Sequence, residues 1–429
     1  MKKSITIIFV FSFFIFNFSF CTIINVPDEQ PTIQSGIDAS VDGDTVLVQP
    51  GTYFENINFN GHNITLGSLF IMTGDTSYIT QTIIDGNENS SVIAFESEEN
   101  LLAIFCGFTI TNGSGFEVDL YVDGHFIMVG GGLYIYNSTP TINYVHVLDN
   151  HAERGGGIYL NSANPEFSNM KITNNYSSLG GGITCINSSP VIYQSMIANN
   201  GVLNGNCCDS YGGGMYLENS NPILNGVVFH HNNAGLMAGW IVGYGGAISC
   251  FGSEPVLENV TITENAASDG GSGIFCDNSF PVISNSIIWG NQDSNISIMS
   301  GFPIITYSDI QDSIGYLGNI HVDPLFIDPE NYDYHLQPDS PCIDAGDPDS
   351  PLDPDGTIAD MGAYYFDQSG ECLMLGDVTE DGEINVIDIT VTVGCILDDI
   401  GDCLCADINA DGSVDVSDIV LMVEIILGD

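Results

Sequence analysis

Positive charge is almost missing from this chain. Its 429 residues include 55 Asp or Glu and 4 Lys or Arg, which gives a formal net charge of −51 at pH 7. Lys2 and Lys3 stand at the N-terminus, so Arg154 and Lys171 are the cations of the remaining chain. Such a surface repels nucleic-acid phosphates and anionic lipid headgroups, and it favours association with Ca²⁺. We therefore expect no nucleic-acid partner, and no membrane partner once the N-terminal leader is removed.

Residues 1–21 predict a secretory signal peptide. The two lysines precede a mostly apolar run over residues 5–20, and small polar residues follow. The run is long enough to span a bilayer, so an uncleaved anchor is the alternative. Both readings place the rest of the chain outside a bacterial cell, either secreted or at the cell surface. Eleven cysteines follow residue 21. This odd number leaves at least one of them free or in an intermolecular bridge.

The middle of the chain lacks the 3.6-residue periodicity of amphipathic helices and instead repeats one motif. A glycine pair or triplet, a proline and an asparagine recur in the same order every 25 or 26 residues. The period lengthens to 32 and 33 where residues 201–211 and 233–244 carry extra residues. The asparagines are Asn150, Asn175, Asn200, Asn232, Asn265 and Asn291. We expect them in turns, where Asn tolerates a left-handed backbone and its amide bonds to the next coil. A fixed period of this length indicates stacked units, each too small to bury its own apolar face.

Each unit reads as short β-strands. Apolar residues alternate with polar ones in runs such as Val145-His-Val147 and Val260-Thr-Ile262, between Gly and Asn-Ser turns. Two sets of apolar residues align across the units and predict two inward columns. They are Leu133, Ile158, Ile183, Met215, Ile248 and Ile274, then Ile142, Phe167, Ile192, Leu224, Leu257 and Ile283. We predict an all-β fold in which coils of about 25 residues stack with parallel strands. Cys185, Cys250 and Cys276 are expected to lie inside as small buried residues.

This repeat resembles the right-handed parallel β-helix, or pectin-lyase-like, family over most of the chain. The segment from Pro31 to Tyr53 resembles the opening of secreted β-helix proteins, and it predicts a short amphipathic helix that caps the stack. The resemblance implies a β-helix over residues 22–366, with a C-terminal cap over 321–366. Residues 367–371 are expected to be a linker, and residues 372–429 a separate small domain.

The last domain contains a duplicated acidic loop. Asp377-Val-Thr-Glu-Asp-Gly-Glu-Ile-Asn-Val-Ile-Asp388 aligns with Asp407-Ile-Asn-Ala-Asp-Gly-Ser-Val-Asp-Val-Ser-Asp418, thirty residues later. Oxygen-bearing side chains stand at loop positions 1, 3, 5, 9 and 12, with glycine at position 6, as two Ca²⁺ sites require. The expected ligands are Asp377, Thr379, Asp381, Asn385 and Asp388, then Asp407, Asn409, Asp411, Asp415 and Asp418. Glu383 and Ser413 at position 7 would offer backbone carbonyls. Apolar residues at i, i+3, i+4 spacing predict a helix after each loop.

Two such loop–helix units resemble the dockerin type I family, whose members attach to cohesin partners. The resemblance implies a cohesin-like or other surface-anchoring partner. The domain departs from the family because Val386-Ile387 and Val416-Ser417 end the loops and no Lys or Arg is present. Calcium binding is therefore better supported than cohesin binding. Cys372, Cys395, Cys403 and Cys405 allow bridges within the domain, in three possible full pairings.

Catalysis by the coils has one candidate location. Pectate lyases of the family use an Arg or Lys beside Ca²⁺-binding carboxylates, and Asp149, Glu153, Arg154 and Lys171 are the residues that could converge here. Lys171 stands one coil after His146 at the matching position. A hydrolase would need paired acidic residues on one face. The coils show no repeated Asp-Asp grouping.

Binding has a second candidate location, an outward column of aromatic residues. Tyr134, Tyr159, Tyr216 and Phe275 align, with Thr184 and Ser249 between them. Aromatic rings at the strand spacing could stack sugar rings, although aromatic residues also favour strands for packing alone. Three functions stay open. The chain binds or presents at extracellular polysaccharide; it is a lyase or glycoside hydrolase; or it is a passive surface or adhesive protein.

Overall fold

The structure, a computed structural model, describes residues 21–119, 124, 126–202, 210–235, 242–312, 317–368, 375–379, 384–398, 404–409 and 413–427. The predicted signal peptide lies outside these residues except for Cys21. The chain forms two compact units. The first ends at Pro324 and also includes Met361–Ala363, and the second consists of Leu325–Asp360 and the residues from Tyr364 onward. The domain boundaries expected from the sequence stay predictions.

The first unit begins with short strands and three short helices. They are β1 (Ile23–Val26), α1 (Ile33–Ala39), β2 (Thr45–Val48), β3 (Gly51–Phe54), β4 (Ile57–Asn58), β5 (Thr65–Ser68), α2 (Phe70–Thr73), α3 (Ser77–Gln81), β6 (Thr82–Asp85), β7 (Ile93–Phe95), β8 (Ile104–Thr111), β9 (Phe116–Asp119) and β10 (Phe126–Val129). Helix α1 confirms the predicted capping helix. Thr32 and Ser35 form a capping box at its N-terminus, and Ile33 and Ile37 are buried.

The repeats supply strands of two to eight residues. They are β11 (Leu133–Tyr136), β12 (Thr141–Leu148), β13 (Ile158–Asn161), β14 (Glu166–Ser168), β15 (Lys171–Thr173), β16 (Tyr176–Ser177), β17 (Ile183–Ile186), β18 (Val191–Tyr193), β19 (Met196–Ala198), β20 (Gly201–Val202), β21 (Ser210–Tyr211), β22 (Met215–Glu218), β23 (Ile223–Asn225), β24 (Val228–His230), β25 (Asn233–Ala234), β26 (Gly243–Tyr244), β27 (Ile248–Phe251), β28 (Val256–Glu258), β29 (Thr261–Thr263), β30 (Ala266–Ala267), β31 (Ile274–Asp277), β32 (Val282–Ser284), β33 (Ile287–Trp289), β34 (Ile296–Ile298), β35 (Ile304–Thr306) and β36 (Asp309–Ile310).

These strands stack into parallel sheets. One sheet of nine strands runs in the order β4–β7–β11–β13–β17–β22–β27–β31–β34, a second contains 19 strands, and a third contains β16, β20, β25 and β30. Equivalent residues of successive coils pair in register, for example Leu133 with Ile158 and Ile158 with Ile183. The predicted parallel coil stack is confirmed.

Both predicted inward columns are buried, and every member is at most 1% exposed. Cys185, Cys250 and Cys276 are fully buried free thiols in the adjoining inward column, as expected. Each coil contributes only a few apolar residues, so burial depends on the coils above and below. Burying a side chain of this size is worth roughly 1.5–3 kcal/mol before the entropy of ordering is counted.

The asparagine column forms a hydrogen-bonded ladder along the stack. The Oδ1 of each asparagine from Asn175 to Asn291 accepts from the backbone N–H and the side-chain amide of the preceding asparagine, at 3.0–3.1 Å. The prediction that these amides bond to the next coil is confirmed. The left-handed backbone falls one residue earlier, at Asp149, Asn174, Asn199, His231 and Glu264. The ladder asparagines themselves do not have positive φ, and their side chains are buried.

The glycine runs are explained by close approach between coils. The first glycine of each run has positive φ, for example 63° at Gly180. A Cβ on the second glycine, Gly181, would lie 2.5 Å from the carbonyl oxygen of Gly213 and 2.6 Å from that of Gly201. No side chain fits there without separating the coils.

The second unit contains an antiparallel hairpin and the helices of the last domain. Its elements are β37 (Phe326–Asp328), a 3₁₀ helix (Pro329–Asn331), β38 (Asp333–Leu336), α4 (Val386–Asp398), a 3₁₀ helix (Leu404–Ala406) and α5 (Val416–Leu427). Helices α4 and α5 follow the two loops as predicted. They meet at Met422, which is fully buried and accepts a hydrogen bond from the Thr392 hydroxyl at 3.4 Å. Cys395 and Cys405 each form a disulfide bond, and Cys372 and Cys403 lie outside the described residues.

Candidate functional site

The outward side of the nine-stranded sheet, from β11 to β31, carries the predicted aromatic column. We call this surface the aromatic face. Tyr134 pairs with Tyr159, Tyr159 with Thr184, and Thr184 with Tyr216. Ser249 and Phe275 continue the same register. The column is therefore continuous over six coils and lies outside the coil interior.

The four aromatic residues of this column are covered. Tyr134 is 5% exposed, Tyr159 1%, Tyr216 8% and Phe275 3%. A sugar ring would find almost no surface on them. Sequence periodicity predicts which side of the sheet a residue faces, and it does not show what else packs on that side.

The cover comes from the turns that precede the strands. At one end the β9–β10 hairpin lies over the face, and the ring of Phe116 stacks on Tyr134 at 4.5 Å between centroids. Further along, the Thr184 hydroxyl donates to the carbonyl oxygen of Leu179 at 2.8 Å. These contacts hold the turn residues against the sheet, so the turns form the outer surface.

The other end of the aromatic face is covered by more aromatic rings. Tyr211 and Tyr244 form the in-register pair between β21 and β26, and their rings stack at 5.7 Å and 16°. Tyr244 lies 4.6 Å from Phe275, and Tyr211 meets Phe251 edge-on at 5.0 Å. All three of Tyr211, Tyr244 and Phe251 are partly exposed. We call these three residues the tyrosine ledge.

The ledge belongs to the two longest of the regular repeats between residues 130 and 291. Strands β21 and β26 form a two-stranded sheet of their own, and they follow residues 203–209 and 236–241, which lie outside the described residues. Cys207 and Cys208 are among these residues. The β9–β10 hairpin is a third insertion beside the same sheet. Insertions in stacked-repeat proteins often mark the binding side.

Sequence reasoning missed the ledge, although a signal was present. Tyr211 and Tyr244 each end an insertion and immediately precede a glycine run, at Gly212 and Gly245. Their equivalence across two coils could have been read from the sequence.

The candidate catalytic residues lie on different parts of the coil. Arg154 stands in the turn before β13, between Val129 and Leu179, and is partly exposed. Glu153 beside it is exposed, and its Oε1 accepts from the backbone N–H of Met128 at 3.3 Å. Asp149 is exposed in a left-handed turn. Within the described residues, neither Arg154 nor Lys171 has a carboxylate oxygen within 4.0 Å.

Lys171 lies on the 19-stranded sheet, away from the strands of the aromatic face. It is exposed and pairs in register with His146 of the previous coil, as the sequence indicated. Burial, and then the positive charge of Lys171, lower the pKa of His146 to about 4. This imidazole is therefore neutral at physiological pH.

Arg154 is electrostatically linked to the aromatic face. Burial raises the pKa of the Tyr216 hydroxyl, and so does Glu218, to which the hydroxyl donates at 3.3 Å. The charge of Arg154 acts on this pKa in the opposite direction. Arg154 thus lies close enough to Tyr216 for its charge to act on the hydroxyl of that residue.

The two acidic loops of the last domain close in the same way. Asp388 accepts from the backbone N–H of Thr379 at 2.9 Å and of Asn385 at 2.8 Å. Asp418 accepts from the corresponding groups of Asn409 at 3.3 Å and Asp415 at 2.8 Å. Positions 3, 9 and 12 of each loop are thereby held together. Asp381, Glu383 and Asp411 lie outside the described residues.

The described loop residues fit a hard cation. Asp377 is 4% exposed, and Asp388 and Asp418 are fully buried, in a domain without Lys or Arg. Burial acts to raise the pKa of Asp388, but hydrogen bonds from Asn385 and Thr379 outweigh it and hold this pKa below its usual value. Buried ionised carboxylates require a compensating charge, and oxygen donors suit Ca²⁺. Among the described residues alone, no three Asp, Glu, His or Cys side chains form a metal-binding group.

Comparison with known proteins identifies the stack. Residues 131–316 match the family model described as a right handed beta helix region. The coil stack is a right-handed parallel β-helix. Comparison with curated proteins finds no match. No helix in the described part of the chain is long and apolar enough to cross a membrane.

Solved structures resemble this β-helix only distantly. Pectate lyase Pel9A is 12% identical, with 80% of this chain and 96% of that chain covered and a TM-score of 0.46. Pectin methylesterase PemA from Erwinia chrysanthemi is also 12% identical, with 69% and 90% covered and a TM-score of 0.35. Likenesses this distant carry no argument about activity or substrate.

Proposed function

We propose that this chain is an extracellular bacterial protein that associates with polysaccharide along the β-helix and is attached through its calcium-binding, dockerin-like C-terminal domain. The observation that carries the proposal is the aromatic face. Its side chains stay in register over six coils, and the β9–β10 hairpin and the strands β21 and β26 lie beside the same sheet. The in-register rings themselves are covered, so the surface that suits a linear polymer parallel to the stack is the outer layer of turns and strands over this face.

The attachment role is supported by the duplicated loops and by the helices that follow them. Each loop holds its position-12 aspartate with the same pair of backbone hydrogen bonds. At the start of the helices, Val386 and Val416 are each 66% exposed and Ile387 is 60% exposed. Equivalent apolar residues at two related helix ends suit a protein partner, cohesin-like or another surface anchor.

The test is retention of the chain without residues 1–21 on a panel of acidic and neutral polysaccharides, with Ca²⁺ and with chelator. We expect retention on at least one polymer in both conditions, because the β-helix holds the polysaccharide. Binding to a surface partner should be lost with chelator. Failure to bind any polymer would overturn the polysaccharide role.

The same samples test for catalysis. Release of unsaturated or reducing products would replace this proposal with a pectate-lyase-like lyase or a glycoside hydrolase. Arg154→Ala and Lys171→Ala would then be examined, followed by Asp149→Ala and Glu153→Ala. We expect no product, because Arg154 and Lys171 lie on different parts of the coil.

A further inference from the structure

We infer that the tyrosine ledge is the sugar-binding site of the β-helix and that its ligand is an uncharged polysaccharide. This inference rests on the proposed polysaccharide association and gives it a location and a ligand class. The ledge is the partly exposed layer of the aromatic face, made by Tyr211, Tyr244 and Phe251 over the covered rings of Tyr216 and Phe275.

The geometry of the rings supports binding. The Tyr211 and Tyr244 rings are nearly parallel, and their centroids are 5.7 Å apart. This distance is larger than that between two rings in direct face-to-face contact. Both residues are partly exposed, so each presents some aromatic surface for a sugar to stack on. Tyr216 and Phe275 below hold them in place, so little side-chain entropy is lost when a sugar binds.

The extra residues that build the ledge also favour a ligand. Among the regular repeats between residues 130 and 291, coils without an insertion use 25 or 26 residues, and the two coils that carry the tyrosines use 32 and 33. Residues added in the same place in adjacent coils build the parallel pair β21–β26 beside the aromatic face. Packing of the apolar core does not require this pair, because the other coils bury their inward columns without one.

The charges around the ledge select against acidic sugars. Phe251 lies in register between Glu218 and Asp277 of the neighbouring coils. Asp269 accepts from the backbone N–H of Gly243, next to Tyr244, at 3.0 Å. Three carboxylates thus lie beside the rings, whereas the positive charge of Arg154 acts on Tyr216 beneath them. A polyuronate would be repelled, whereas a neutral glycan would meet aromatic surface and carboxylate acceptors for its hydroxyls.

The experiment is affinity gel electrophoresis of the full chain without its leader. The gels contain a soluble β-glucan, a xylan or a galactomannan as neutral probes, and polygalacturonate as the acidic probe. We expect retardation by a neutral probe, little change of it with added NaCl, and no retardation by polygalacturonate. Tyr211→Ala and Tyr244→Ala should each weaken binding about tenfold, the loss of roughly one good aromatic contact.

Two kinds of control separate binding from folding. Tyr211→Phe and Tyr244→Phe keep the ring and should keep most of the affinity. Tyr193→Ala removes a tyrosine that is 40% exposed on the 19-stranded sheet, and it should leave retardation unchanged. Circular dichroism identifies any variant that does not fold, and Tyr211→Ala and Tyr244→Ala test the ledge separately.

The possible results test the ledge, the ligand class and the polysaccharide association separately. Neutral binding that both alanine variants retain would overturn the ledge and leave the proposed function standing. Retardation by polygalacturonate alone would overturn the ligand class. Absence of retardation with every probe would overturn both the inference and the polysaccharide association.

Discussion

Asn232 shows how fully one buried side chain is used in this stack. Its Oδ1 accepts from the backbone N–H of Asn200 at 3.1 Å and from the Asn200 amide at 3.0 Å. Its Nδ2 donates to the carbonyl oxygen of Ile197 at 2.7 Å and to Asn265 at 3.0 Å. A single side chain thus bonds to polar groups of the preceding and the following coil, in a place that water does not reach.

Replacing Asn232 by Ala should lower the free energy of unfolding by roughly 2–4 kcal/mol, because several buried partners lose their hydrogen bonds at once. Urea unfolding followed by circular dichroism measures the loss. The control is Asn89→Ala, which removes an exposed amide with one side-chain partner and should cost under about 0.5 kcal/mol. Equal losses in the two variants would contradict the ladder's role.

His230 predicts a dependence of stability on pH. Burial, and then the neighbouring His231, lower the pKa of His230 to about 4, against about 6.5 for the unfolded chain. Between these two pKa values, His230 of the unfolded chain binds a proton that His230 of the folded chain does not. The free energy of unfolding therefore falls as the pH drops from about 6.5 towards about 4. The free energy of unfolding, measured with urea at about pH 7 and about pH 4.5, should change less with pH in His230→Gln than in the unchanged protein. If stability depended on pH to the same extent in the variant, His230 would not be the source of that dependence.

At the scale of single elements, glycine has opposite roles in the two units. In the coil turn, a Cβ on Gly181 would meet the carbonyl oxygens of Gly213 and Gly201, whereas a Cβ on Gly394 in α4 meets nothing within 4 Å. Gly181→Ala should prevent folding of the stack or lower its melting temperature strongly. Gly394→Ala should stabilise α4 by about 0.5–1 kcal/mol. Calorimetry measures both, and a tolerated Gly181→Ala would contradict the close contact between coils.

The two acidic loops predict separable calcium sites. Asp388→Ala removes the carboxylate that holds the first loop, and Asp418→Ala the one that holds the second. Titration calorimetry of the chain without its leader should show two Ca²⁺ equivalents, one of which is lost in each variant. Asp312→Ala, which lies in the stack, should keep both. A stoichiometry that neither loop variant changes would place the calcium elsewhere.

The sequence predicted most of the elements and missed how some of them combine. Parallel strands, inward columns, the capping helix α1 and the two loop–helix units follow from period, alternation and spacing, which are local properties. The left-handed residue of the turn was placed one position late, because Asn favours both that backbone and the ladder position. The burial of Tyr159 was missed because it depends on turns and a hairpin that local pattern does not position.

On the scale of the whole molecule, the chain has 55 acidic and 4 basic residues, so folding brings many like charges closer together. Added NaCl should therefore raise the melting temperature of the chelated protein, since salt screens repulsion between exposed carboxylates. Differential scanning calorimetry at low and at high NaCl measures the shift. Sucrose at matched osmolality is the control and should have a smaller effect. A melting temperature that falls with NaCl would show that screening is not the dominant effect.

The two long coils also have a consequence for how such a protein can change over generations. Each coil touches only its neighbours, and Tyr211 and Tyr244 stand at the same position of adjacent coils. Duplication of the DNA for one such coil would add a third tyrosine in line, one strand spacing away, and the remaining coils would keep their own contacts. The length of glycan held could thus grow by whole steps through unequal recombination, without any substitution in the existing coils.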